Sequence, residues 1–191
     1  MKTIENDRHI FLVLVPHRDI RIKLKKFTAS LIKNSLAVSK SSLAGVYNYP
    51  WVAPLAVLSQ PFSIDELKKI ARSLREDADG MKIPAGENQI TIMDTDENLS
   101  LFGPCLDMKN FNALKTSAAL LKIKAVLSPI VIGACLIQKA GEQQLSGLFA
   151  SSPPQEELTF RAAAIANMFW KADCNGGFKW KIGKLCWLPK N

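Results

Sequence analysis

The sequence predicts an α+β fold, and three observations lead there. Apolar runs of strand length stop at prolines, amphipathic stretches with helical spacing lie between them, and the carboxyl end holds two strand-like segments around an Asn-Gly-Gly turn. By length, a chain of 191 residues is expected to be one domain spanning 1–191, or two tightly fused halves. Hydrophobic residues at 48% and charged residues at 22% suit a buried core and exclude a disordered protein. No apolar run reaches the ~18 residues that a membrane helix needs. The start, residues 1–8, carries acids and is a poor signal peptide, so a cytoplasmic setting is expected.

The elements follow in order. His9 to Val15 is a continuous β-prone run stopped by Pro16, which reads as a buried strand. Asp19 is placed to cap a helix in which Ile20, Leu24, Phe27 and Leu31 recur on one face, with Arg21, Lys25 and Lys33 toward water. Trp51 to Leu58 is a second apolar run, entered through Pro50. Ser63 and Glu66 form a capping box ahead of a stripe of Leu67, Ile70, Ala71 and Leu74. Gln89–Met93 and Leu99–Phe102 read as strands joined by a polar turn. A third helix is expected with Phe111, Leu114, Ala118 and Leu121 on one face. After Pro129 comes a further apolar run, Ile130 to Ile137, and then a Gly/Ser/Pro-rich connector. The last two strands are Leu158–Trp170 and Phe178–Trp187. Cys174-Asn175-Gly176-Gly177 supplies the positive φ of a tight hairpin between them. The apolar register in the last strand shifts after Ile182, which places a bulge at Gly183-Lys184.

Chemistry is bounded by scarcity. The chain has two histidines, His9 and His17, and four cysteines, Cys105, Cys135, Cys174 and Cys186, with no C-x-x-C spacing. That excludes the usual zinc sites and favours free, buried thiols, with a Cys174–Cys186 bridge as the alternative. Residues 94–98 match three ligand positions of a calcium loop, but Leu99 stands where Gly is required and Cys105 where Glu is required. No Gly-rich phosphate loop or nucleophile elbow occurs. No metal or cofactor is expected.

Charge is segregated. Residues 1–40 carry nine basic and three acidic side chains, residues 41–108 five and ten, and residues 109–191 eleven and four. Two basic ends flank an acidic middle, and if they meet they form a positive face suited to phosphate. Lys179, Lys181 and Lys184 of the final strand, with Arg161 and Lys171 on its partner, are candidates to track a phosphate backbone. The basic first helix, with Arg21, Lys23, Lys25 and Lys26, extends that patch. Tyr47, Tyr49 and Trp51 form an aromatic cluster that can stack on a base. The plain alternative for each is a solvated strand face or packing at the rim of the core.

A weak echo links the halves: helix, connector and Pro50-Trp51-Val52-Ala53, then helix, connector and Pro129-Ile130-Val131-Ile132. This order resembles the two-histidine phosphoesterases, the superfamily of LigT and the 2'-5' RNA ligase-like proteins. The resemblance implies two pseudo-symmetric lobes, with antiparallel sheets around a central cleft and helices packed outside. It also implies a Pro-His-x-Thr/Ser strand in each lobe. In this chain the histidine positions hold Trp51 and Ile130, and the hydroxyl positions hold Ala53 and Ile132. A shift of one residue, to Val52 and Pro54, restores nothing. None of these side chains carries a proton or orients a phosphate oxygen. The reading is therefore an inactive LigT-like protein without catalytic residues or cofactor. It binds RNA or a nucleotide through Tyr49, Trp51, Lys179, Lys181 and Lys184. A protein-protein interaction module with a closed apolar cleft is the alternative, and an enzyme with relocated chemistry is the third.

Overall fold

The computed structural model describes residues 8–34, 51–60, 63–77, 82–94, 99–107, 123–133, 135–138, 157–171 and 177–187. It is an α+β protein. In order run β1 (Arg8–Pro16), α1 (Arg18–Asn34), β2 (Ala53–Leu58), α2 (Ile64–Asp77), β3 (Lys82–Asp94) and β4 (Leu99–Leu106). Then come β5 (Ile123–Val126), β6 (Cys135–Gln138), β7 (Glu157–Lys171) and β8 (Gly177–Trp187). The strand order is β5-β2-β1-β7-β3-β4-β6, with β8 also paired to β7, and every pairing is antiparallel.

The long strand β7 organises the sheet. Its first residues, Glu157 to Thr159, pair with β3, and the rest lies between β1 and β8. Ala162, Ala163, Ala164 and Ala166 are fully buried in its centre, where small side chains let covering elements approach closely. On β1, alternate residues part as the two-residue period requires. Leu12 and Leu14 join α1 and α2 through Ile20, Leu24, Leu67 and Ile70. Phe11, Val13 and Val15 pack with Met93 of β3, Leu101 of β4 and the β7 alanines.

Several expectations hold in detail. Ser63 Oγ accepts the Glu66 N–H at 3.2 Å, and Glu66 Oε2 accepts the Ser63 N–H at 2.7 Å, so the capping box closes both ways. In the β7–β8 ladder Ile165 pairs with Gly183 and Ala164 with Leu185, which leaves Lys184 as the extra residue of a bulge. The structure adds a detail that was not expected: Pro54 sits opposite Val13 where the β1–β2 register shifts, the place in a ladder where a missing N–H does least harm.

Other expectations are corrected. Helix α1 begins at Arg18, not after an Asp19 cap: His17 C=O accepts the Arg21 N–H at 3.1 Å, and Asp19 lies inside the first turn. There its carboxylate faces the positive end of the helix dipole. The strand expected from Trp51 begins at Ala53, because Trp51 has φ 49° and cannot extend a ladder. The run Ile130–Ile137 is not one strand. Val131 makes an isolated bridge to Cys105, and β6 begins at Cys135. The sequence reading missed β5, whose alternation is hidden by its largely exposed residues. The expected helix around 111–121, the connector and the residues of the Cys174–Gly176 turn lie outside the described residues. No described helix is long and apolar enough to cross a membrane.

Candidate functional site

The two echoed segments meet. Val52 C=O accepts the Gly133 N–H at 3.1 Å, and Leu55 C=O accepts the Leu127 N–H at 2.9 Å. On its other side the same segment bonds to β4. Leu106 N–H donates to Ile130 C=O at 2.8 Å, and Ile132 N–H to Pro104 C=O at 3.0 Å. Thr91 Oγ1 donates to Pro129 C=O. Residues 127–133 therefore stitch β2 to β4, strands that are far apart in the sheet order.

The meeting place is hydrocarbon. Ala53, Ile130 and Ile132 are buried in the same cluster as α1 and α2, with Trp51 packed against it. One residue out of phase, Val52 and Val131 are fully buried in the second cluster with Phe11, Val13, Leu101 and Met93. In either register the junction offers no side chain that exchanges a proton. His9 lies in β1 opposite Met168, and the His17 N–H bonds to Thr159 C=O at 3.1 Å.

Trp51 departs from this pattern. It is half-buried, its backbone lies in the left-handed region, and its indole Nε1 donates to Thr28 Oγ1 of α1 at 3.2 Å. A bulky residue at positive φ is costly and persists only where its surroundings hold it. Here the buried Thr28 hydroxyl and the edge of the core do so. The indole is thereby fixed as part of the wall of a groove of about 360 Å³ lined by Arg18, Arg21, Ile22, Lys25 and Arg161. Arg18, Arg21, Ile22 and Lys25 are spaced i, i+3, i+4 and i+7 along α1, one stripe beside the buried stripe of Ile20, Leu24 and Thr28. Arg161 comes from β7, 140 positions from Arg21 (161 less 21). No acidic side chain lines the groove among the described residues.

Of the sequence-based candidates, Trp51 is thus joined to Arg21 and Lys25 of the basic helix and to Arg161. Sequence reasoning missed Arg18, although the i, i+3, i+7 spacing of Arg18, Arg21 and Lys25 marks it. Tyr49 lies outside the described residues. The backbone of Lys181 pairs with Asn167 and that of Lys179 with Phe169, while Lys184 occupies the β8 bulge. Cys105 is a free thiol, and burial, then the Asp107 carboxylate, raises its pKa. That is the reverse of what an activated nucleophile needs. Among the described residues no cluster of His, Cys, Asp or Glu is arranged to hold a metal ion.

No protein-family model matches this chain. No curated protein matches it either. Among solved structures it is similar to that of Usb1 from Kluyveromyces marxianus, with 11% identity, 83% of this chain and 92% of that chain covered, and a TM-score of 0.44. At that distance the architecture rests on the strand pairings described above.

Proposed function

We propose that this protein is a catalytically inactive member of the two-histidine phosphoesterase superfamily that binds RNA or a nucleotide through a basic face, in the cytoplasm. The observation that carries this reading is the groove in which three arginines and a lysine surround a fixed indole. Guanidinium forks match phosphate oxygens, and an aromatic wall accepts a base or sugar. Inactivity follows from the junction of the two echoed segments, where Trp51, Ala53, Ile130 and Ile132 replace the imidazoles and hydroxyls that the resemblance calls for. The β8 lysines Lys179, Lys181 and Lys184 extend the binding face as a further part of the proposal.

The test is fluorescence anisotropy of short single-stranded RNA at about 50 and 200 mM salt. Binding that falls steeply with salt is expected. Lys179→Ala with Lys181→Ala should flatten the slope by about one unit per lost phosphate contact. No binding at the lower salt overturns the reading. The closed, hydrocarbon-filled junction would then favour the alternative, a module that contacts another protein.

A further inference from the structure

We infer that the groove between α1 and β7 takes a phosphomonoester, the terminal phosphate of a nucleotide or of an RNA end, rather than the interior phosphates of a strand. The inference rests on the proposed RNA or nucleotide binding and narrows it to one chemical group.

Charge density is the first argument. Arg18, Arg21, Lys25 and Arg161 place four positive charges around one groove with no lining carboxylate among the described residues. An interior phosphodiester brings one negative charge and is served by cations strung along a strand. A phosphomonoester brings about −1.5 to −2 and three acceptor oxygens to a single point. Concentrated cations repel one another, and a dianion relieves that repulsion where a monoanion relieves half of it.

Shape is the second argument. About 360 Å³ is at the small end of ligand pockets, which run roughly 300–1,000 Å³, and suits one nucleotide unit rather than a tracked strand. Three of the four cations are arginines, whose planar forks grip phosphate oxygens in pairs. Arg21 Nε is buried and has no hydrogen-bond acceptor among the described residues. A buried donor of this kind calls for an acceptor, and a phosphate oxygen is one. Arg18 and Arg21 stand in the first turn of the 17-residue helix α1, whose positive end adds to the attraction.

The wall supplies the third. The Trp51 side chain has a single hydrogen-bond donor, and Thr28 uses it. The indole therefore meets a ligand with carbon, beside Ile22, which is 48% exposed in spite of its apolar side chain. A charged pocket with an apolar flank fits a phosphate joined to a planar or sugar group better than a free inorganic anion.

The experiment compares three short RNAs of one sequence, bearing a 5'-phosphate, a 3'-phosphate or hydroxyls at both ends, by anisotropy with the full chain near 100 mM salt, where non-specific phosphate contacts are weakened. A phosphorylated end is expected to bind about tenfold tighter or more than the hydroxyl-ended RNA, the value of one or two charge-assisted hydrogen bonds. Whichever phosphorylated RNA gains identifies the end, and competition by a nucleoside monophosphate shows whether the free nucleotide suffices. Arg21→Gln should remove the preference and Arg21→Lys restore part of it, while Lys68→Gln, beside Asp65 on α2, which gives no lining residue to the groove, should leave it unchanged. Equal, salt-sensitive binding of all three RNAs overturns the phosphomonoester and leaves RNA binding standing. Failure of all three RNAs and of a fluorescent nucleoside monophosphate to bind, at about 50 mM salt as well, overturns both.

Discussion

Trp51 and Val52 are neighbours in the chain and belong to opposite regions of the molecule. Val52 is fully buried, takes the Gly133 N–H on its carbonyl and packs among Phe11, Val13 and Val131. Trp51 turns through a positive φ, hands its indole N–H to Thr28 and forms a wall of a cationic groove. The first region has hydrocarbon where acid-base chemistry needs polar groups. The second gathers cations, and no carboxylate lines it among the described residues. Closing one face of a junction and opening a site at its edge required a single strained residue between them.

The comparison can be broken by experiment, starting where the effect is largest. Val131→Asp places an unpaired charge in a fully buried site and should cost at least ~3–5 kcal/mol, read as a fall in the denaturant midpoint. A loss under about 1 kcal/mol would mean that water reaches the junction and that it is not closed. Next, Trp51→Phe keeps a ring but removes the bond to Thr28 and should cost about 1 kcal/mol. Thr28→Val should cost a similar amount, and the double variant little more than either, because both remove the same bond.

The groove should behave in the opposite way. Arg18→Gln with Lys25→Gln is expected to leave stability within about 0.5 kcal/mol, since both side chains are exposed, while weakening anion binding. A large stability loss would make these residues structural. The smallest effect concerns Cys105, beside the junction at its bridge to Val131. Burial and Asp107 hold its thiol protonated in the folded state to higher pH than in the unfolded chain. The native state therefore binds more protons, and stability should fall as pH rises past the ordinary thiol range. Denaturant midpoints at about pH 8 and pH 10 should differ less for Cys105→Ser than for the native chain.

Local signals carried much of the fold. The Ser63–Glu66 box, the β-prone run before Pro16 and the register break at Lys184 each depend on neighbours a few residues apart, so they are legible in one dimension. The start of α1 was misplaced by two residues, because the Thr159 C=O that holds the His17 N–H arrives from a distant strand. β5 was invisible for a related reason. An edge strand with three exposed residues in four owes its state to pairing with β2, not to its own alternation.

By itself, the sequence determined the types of β1, α1, β2, α2, β3, β4, β7 and β8, the segregation of charge and the lack of proton-carrying side chains in the two echoed segments. These are properties of composition and of spacing along the chain. Only the tertiary structure decided that those segments touch, that Trp51 twists away from the strand it was read into, and that Arg161 joins Arg18, Arg21 and Lys25 around it. Each of those outcomes needs partners tens of residues apart, and the backbone cost at Trp51 is borne by packing that no local pattern records.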